Sequence, residues 1–207
     1  MSETDQANPN ADRPAETVFE LARCPVVAVI GTSGGTTEQL RHARRVGRLL
    51  ASAGATVVTG GRSGVMEAAC QGATQVGGIT IGILPGGCEA ASPPNRFVQI
   101  PIYTGMGEAA NAVVVQTAGA VIAIGGGYGT LSEIGLALKA RRPVICLDSW
   151  ELTAPDPVPG MDGLLRAAKT PQEAVNMAVA LAGASEGPSC SGEAPPSEPE
   201  PLPDDRR

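Results

Sequence analysis

The chain has 207 residues, 43% of them hydrophobic but only 2% aromatic, with a formal net charge of −6. That is enough for one α/β domain with a core of Val, Ile, Leu and Ala, and it leaves few aromatic platforms for stacking single-stranded nucleic acid. The acidity sits at the ends: residues 1–23 carry five acids against two bases, residues 183–207 six against two, and residues 24–182 are left at +1. A near-neutral body excludes an electrostatic case for nucleic-acid binding.

The chain opens with MSETDQANPNADRPAET. This stretch is polar, has no apolar period and lacks the basic-then-apolar order of a secretory leader. Residues 1–23 are therefore expected to be a disordered tail. The body, 24–182, alternates between two periods. CPVVAVIG (24–31) is an apolar run ending in glycine, as in a buried parallel strand. A helix is predicted over 36–54: Leu40, Ala43, Val46, Gly47 and Leu50 form its apolar stripe, with Arg41, Arg44, Arg45 and Arg48 on the other side. Thr36 and Gln39 fit a capping box, and Gly54 fits a stop. His42, the only histidine, falls on the arginine side and is expected to face solvent.

A strand at 55–61, a helix at 63–78 and a strand at 79–86 follow. Pro93–Pro94 makes 88–96 a loop. FVQIPIY (97–103) reads as a strand near a sheet edge and 105–119 as a helix. Strand 120–124, helix 129–142 and strand 143–148 come next. A short strand and a last helix close the body, with Thr170, Pro171 and Glu173 at N-cap, N1 and N3. The alternation predicts an α/β fold: a single Rossmann-like, doubly wound, mainly parallel sheet with helices on both faces. Tyr103 and Trp150 are expected to close the sheet edges. The Pro-, Ser- and Glu-rich stretch 183–207 is expected to be a second disordered tail. No apolar run reaches the length of a membrane span. The five cysteines lack metal-ligand spacing, so reduced thiols, a cytoplasmic setting and no metal are expected. Cys24 and Cys146, beside or within strands, read as small core residues.

Three glycine-rich turns follow predicted strands: GTSGG (31–35), GGRSG (60–64) and GGGYGT (125–130). In a parallel sheet all three converge on the carboxyl edge, where ligands bind. Glycine admits positive φ and close approach, and a helix start attracts an anion with its free N–H groups and dipole. Gly126, Gly127, Gly129 and Thr130 are thus expected to cradle a phosphate. Gly31, Thr32, Ser33, Gly60 and Gly61 would contribute from the other turns. Arg62 either reaches that anion or is a solvated loop arginine. Tyr128 either packs over a ligand or covers the helix start. No turn fits G-x-G-x-x-G cleanly, nor the P-loop pattern ending in Lys-Ser/Thr, so ordinary NAD and ATP-motor readings are weak. Thr130-Leu-Ser-Glu133 spells a capping box; the alternative is that Glu133 faces the pocket.

GGGYGTLSE (125–133) resembles the P-G-G-x-G-T-x-x-E signature of the LONELY GUY family, and GGRSGVMEAA (60–69) resembles its second glycine motif with Gly-x-Met, here ending at Met66. IGGGYGTLSEIGLALKARRPV is closer to the sister group of molybdenum cofactor carrier proteins, where glycine replaces the leading proline. LONELY GUY enzymes cleave the N-glycosidic bond of nucleoside 5′-monophosphates. The resemblance therefore implies phosphate binding at Gly126, Gly127, Gly129 and Thr130, with Glu133 as catalytic carboxylate beside an oxocarbenium-like state. That family also uses an arginine where this chain has Ala110, followed by Asn111; Asn111 and Met66 are expected among the ligand-binding residues. Loss of such a group costs about 10²–10³ in rate. The resemblance thus tilts toward a binding protein for an AMP-like nucleotide or the molybdenum cofactor, with a phosphoribohydrolase that needs no cofactor as the alternative. It also implies a homodimer or larger homo-oligomer, for which the irregular 97–119 segment is the expected interface; charge and hydropathy lead us to expect neither nucleic-acid nor membrane partners.

Overall fold

A computed structural model describes residues 24–152 and 163–184. Both expected tails, but for residues 183 and 184, lie outside these residues, as does Cys190. Seven strands alternate with five helices: β1 (Val26–Gly31), α1 (Thr37–Ser52), β2 (Thr56–Thr59), α2 (Val65–Thr74), β3 (Thr80–Leu84), β4 (Ile100–Tyr103), α3 (Ala110–Thr117), β5 (Ala120–Gly125), α4 (Tyr128–Lys139), β6 (Val144–Ser149), β7 (Leu165–Ala168) and α5 (Pro171–Ala184). All strand pairings are parallel, in the order β4-β3-β2-β1-β5-β6-β7. This is the doubly wound α/β architecture expected from the alternation.

The two faces follow from the two-residue period of a strand. Val27 and Val29 of β1, with Ile122 and Ile124 of β5, pack under α1, α2 and α5. Ala28 and Ile30, with Val121 and Ala123, pack under α3 and α4. β5 is buried at all six positions, which is why its sequence is apolar without alternation. The strand order reverses between β1 and β5, and a crevice opens beyond their carboxyl ends.

Helix α1 is capped as its sequence predicts: Thr36 Oγ1 accepts the Gln39 N–H at 3.2 Å, and Gln39 Oε1 accepts the Thr36 N–H at 3.1 Å. Helices α1 and α2 approach unusually closely. A Cβ on Gly47 would overlap the Ala69 carbonyl oxygen, and one on Gly72 would overlap that of Arg44.

Several expectations are corrected. The 105–119 helix is a 3₁₀ turn at Gly107–Ala109 followed by α3, because Gly105 and Gly107 take positive φ (65° and 57°) and break any earlier start. Only Ile100–Tyr103 of 97–103 forms a strand. His42 is not solvent-facing: its side chain is 14% exposed, with Nε2 3.0 Å from Glu38 Oε1. It precedes Val46 by four residues and so flanks the buried stripe. Cys24 is exposed rather than core, since β1 begins two residues later; Cys146 is buried, as expected. No helix among the described residues is long and apolar enough to cross a membrane.

Candidate functional site

The turns after β1, β2 and β5 meet at the crevice and enclose a cavity of about 420 Å³. Gly31, Thr32 and Ser33 line it from the first turn, Gly60 and Arg62 from the second, and Gly127, Gly129, Thr130 and Glu133 from the start of α4. Met66 of α2 and Asn111 of α3 complete the expected residues found there. Gly61, Gly126 and Tyr128 do not line it. Gly61 packs behind, where an added Cβ would sit 2.8 Å from Leu84 Cδ2. Tyr128 is 84% exposed and leans toward Trp150, ring centroids 6.3 Å apart.

The third turn shows what its glycines are for. Gly126 has φ 120°, and a Cβ there would lie 2.7 Å from Thr130 Oγ1. Any side chain would fill the space around the Thr130 hydroxyl. Helix α4 starts at Tyr128, with Gly127 as an N-cap that offers no side-chain bond. The first i to i−4 bond of this turn runs from the Leu131 N–H to the Gly127 oxygen. The N–H groups of Tyr128, Gly129 and Thr130 therefore open the helix without intrahelical acceptors, at its positive end.

Five carbonyl oxygens of these turns accept from side chains that do not line the cavity. Ser149 Oγ donates to the Gly125 oxygen at 2.6 Å, and Trp150 Nε1 to the Gly127 oxygen at 3.3 Å. Ser63 Oγ donates to the Ser33 oxygen at 3.0 Å. Asn95 Nδ2 donates to the oxygens of Gly61 and Arg62 at 3.1 and 3.0 Å. Trp150, expected at a sheet edge, instead braces the glycine loop, because β6 pairs with β5 and sets Ser149 opposite Gly125; Tyr103 does lie on the edge strand β4.

Glu133 does not close a capping box. Because α4 begins at Tyr128, Thr130 is already its third residue and Glu133 its sixth, past the reach of the cap. The side chain is 8% exposed and lines the cavity, and burial pushes its carboxyl up to about 7. A buried acid at that value is protonated about half the time at neutral pH, so it can give or take a proton. Ala110, where the resembling family has arginine, is the first residue of α3 and is buried in the core on that face of the sheet. Arg62 is the one basic side chain lining the cavity among the described residues.

Four lining residues were not anticipated: Ile83, Pro85, Gly107 and Glu108. Ile83 and Pro85 could have been found, since ILPG ends a strand at the same sheet edge. Glu108 could not, because it reaches the cavity on a 3₁₀ turn that the sequence hid within a helix. Among the described residues, no group of three or more His, Cys, Asp or Glu could hold a metal.

A model of the SLOG cluster4 family matches residues 24–175. An uncharacterized protein of Archaeoglobus fulgidus is 40% identical over 153 residues, spanning 74% of this chain and 93% of its own. The molybdenum cofactor binding protein of Rippkaea orientalis is similar in structure, with a TM-score of 0.66 and 36% identity over 75% of this chain and 95% of that one. The molybdenum cofactor carrier protein of Chlamydomonas reinhardtii gives 0.64 and 34% over 77% and 98%.

Proposed function

This chain belongs to the SLOG cluster4 family, and from that premise we propose that it binds a phosphorylated small molecule, a mononucleotide or a molybdopterin-type cofactor, and holds it without turnover. The observation that carries this reading is the start of α4. The helix opens with N–H groups that have no intrahelical acceptor, and Gly127, Gly129 and Thr130 of that start line the cavity. Phosphate oxygens are the acceptors that such a helix start favours. The binding reading is preferred over hydrolysis because the position of the enzymatic arginine is Ala110, inside the core.

Phosphoribohydrolysis is the second reading, and Glu133 favours it. Its carboxyl is buried and tuned near 7, in the range of a working acid or base. The ring or base the ligand carries would lie toward Met66, Ile83 and Pro85, the apolar part of the lining.

One experiment separates the two. Trp150 is the only tryptophan and is bonded to Gly127, so its fluorescence reports on the loop. Titration with AMP and with molybdopterin should give saturable binding of at least one, without free adenine appearing. Thr130→Val should weaken it about tenfold, as loss of a bond to a charged group does. Adenine released from AMP, and abolished in Glu133→Ala, would instead establish the hydrolase. Neither binding nor release would sink both readings.

A further inference from the structure

Arg62 reaches the cavity from an exposed turn, and among the described residues it makes no ion pair. A long side chain without a partner keeps its rotamer freedom, so where its guanidinium dwells depends on how its backbone is held. That backbone is held by a residue 33 positions away, outside the cavity. Asn95 Nδ2 donates to both the Gly61 and Arg62 carbonyl oxygens, and the Asn95 N–H adds a third bond, to the Gly61 oxygen, at 2.8 Å. Asn95 Oδ1 accepts the Phe97 N–H at 3.1 Å, and the Asn95 carbonyl accepts the Val98 N–H at 3.1 Å. The amide orientation follows from these partners, since two carbonyl oxygens require the NH₂ and an N–H requires the oxygen. Pro93 and Pro94 stiffen the approach to Asn95. On its far side the turn is pinned by the Gly61 N–H, which donates to Thr59 Oγ1 at 3.0 Å.

We propose that Asn95 is the positioning residue for Arg62: its carboxamide fixes the 60–62 turn so that the guanidinium is presented to an anion in the cavity. The assignment rests on the anion-binding reading above. It gives the 88–98 loop, which carries none of the glycine motifs, a direct part in ligand affinity.

The test uses the full chain, with AMP and inorganic phosphate as probes and Trp150 fluorescence as readout. Asn95→Ala should weaken AMP binding about five- to tenfold, the effect of one to two net hydrogen bonds. Asn95→Asp keeps the acceptor for Phe97 but loses both donors, and it should bind as weakly as Asn95→Ala. Arg62→Ala should weaken binding about 10–100-fold, and adding Asn95→Ala to it should cost nothing more. The dependence of affinity on salt should flatten equally in both single variants, because both remove the same screened charge contact. A merely structural Asn95 would give losses that add to those of Arg62→Ala and leave the salt dependence intact; either result overturns the assignment. So does Asn95→Asp binding like wild type. Wild type that binds AMP or phosphate while Asn95→Ala is unaffected overturns this assignment alone. Wild type that binds neither overturns the proposed function and this assignment with it. Melting temperatures of the variants establish that each is folded.

Discussion

Glu133 couples proton binding to the stability of the fold. An unfolded glutamate titrates near 4.5, whereas burial raises this one to about 7. A raised value means that the neutral form is the one the fold tolerates. Its stability is fully present below pH 4.5 and is lost as pH rises through 7, by about 3 kcal/mol in all. Thermal unfolding should therefore show the wild-type melting temperature falling between pH 5 and 8. Glu133→Gln, which cannot ionise, should lose that slope and melt several degrees higher at pH 8. A parallel pH dependence in both proteins would mean that the buried charge lies elsewhere. The same residue shows where local reading stops. Thr130 and Glu133 have the spacing of a cap, but the box operates only if Thr130 precedes the helix. The turn of Gly125–Gly127 starts α4 three residues earlier than a Thr130 cap would, and that turn is braced by Ser149 and Trp150, more than twenty positions on.

At the scale of elements, the seam between α1 and α2 leaves no room for a methyl group at Gly47 or Gly72. Gly47→Ala would improve intrinsic helix propensity by about 1 kcal/mol. Even so, it should destabilise the protein by about 1–3 kcal/mol, because its methyl group must displace the Ala69 carbonyl or force the helices apart. Denaturant melts should show the loss, and a stabilised Gly47→Ala would mean that the seam is looser than described. Gly47 was visible in the sequence as part of the apolar stripe, but the reason for a glycine lay on another helix. Strongly periodic elements such as α1 and α5 were legible because caps and stripes are written locally. The 97–119 region was not. Gly105 and Gly107 break the start of the helix expected over 105–119, and β4 acquires its short strand only by pairing with β3.

Across the whole molecule, the parallel sheet and the edge that carries the site were legible from alternation and from three glycine turns after strands. Strand order was not, since β3 and β4 pair in parallel across a connection without an α-helix, and only the fold sets β5 beside β1. The Arg62 brace was hidden for the same reason, as Asn95 stands in a loop with no motif of its own. The charge map makes a prediction at this scale. Removing residues 1–23 and 185–207 takes away the net acidity and leaves a body at +1. Among the described residues, the buried hydrophobic core runs from Val27 to Ala178. The shortened chain should keep its AMP affinity within about twofold and its stability within about 0.5 kcal/mol, the range of surface changes. A large loss of either would assign the ends a role in the site.

The tight α1–α2 seam reaches further than stability. The first and second glycine turns each lead into one of these two helices, so interlocked glycines make them a single jaw. The opposing jaw, from Gly107 to Asn111 and from Gly127 to Glu133, rides on α3 and α4 across the sheet. The two jaws meet where β1 pairs with β5, so a ligand bound as proposed would bridge the two halves of the molecule.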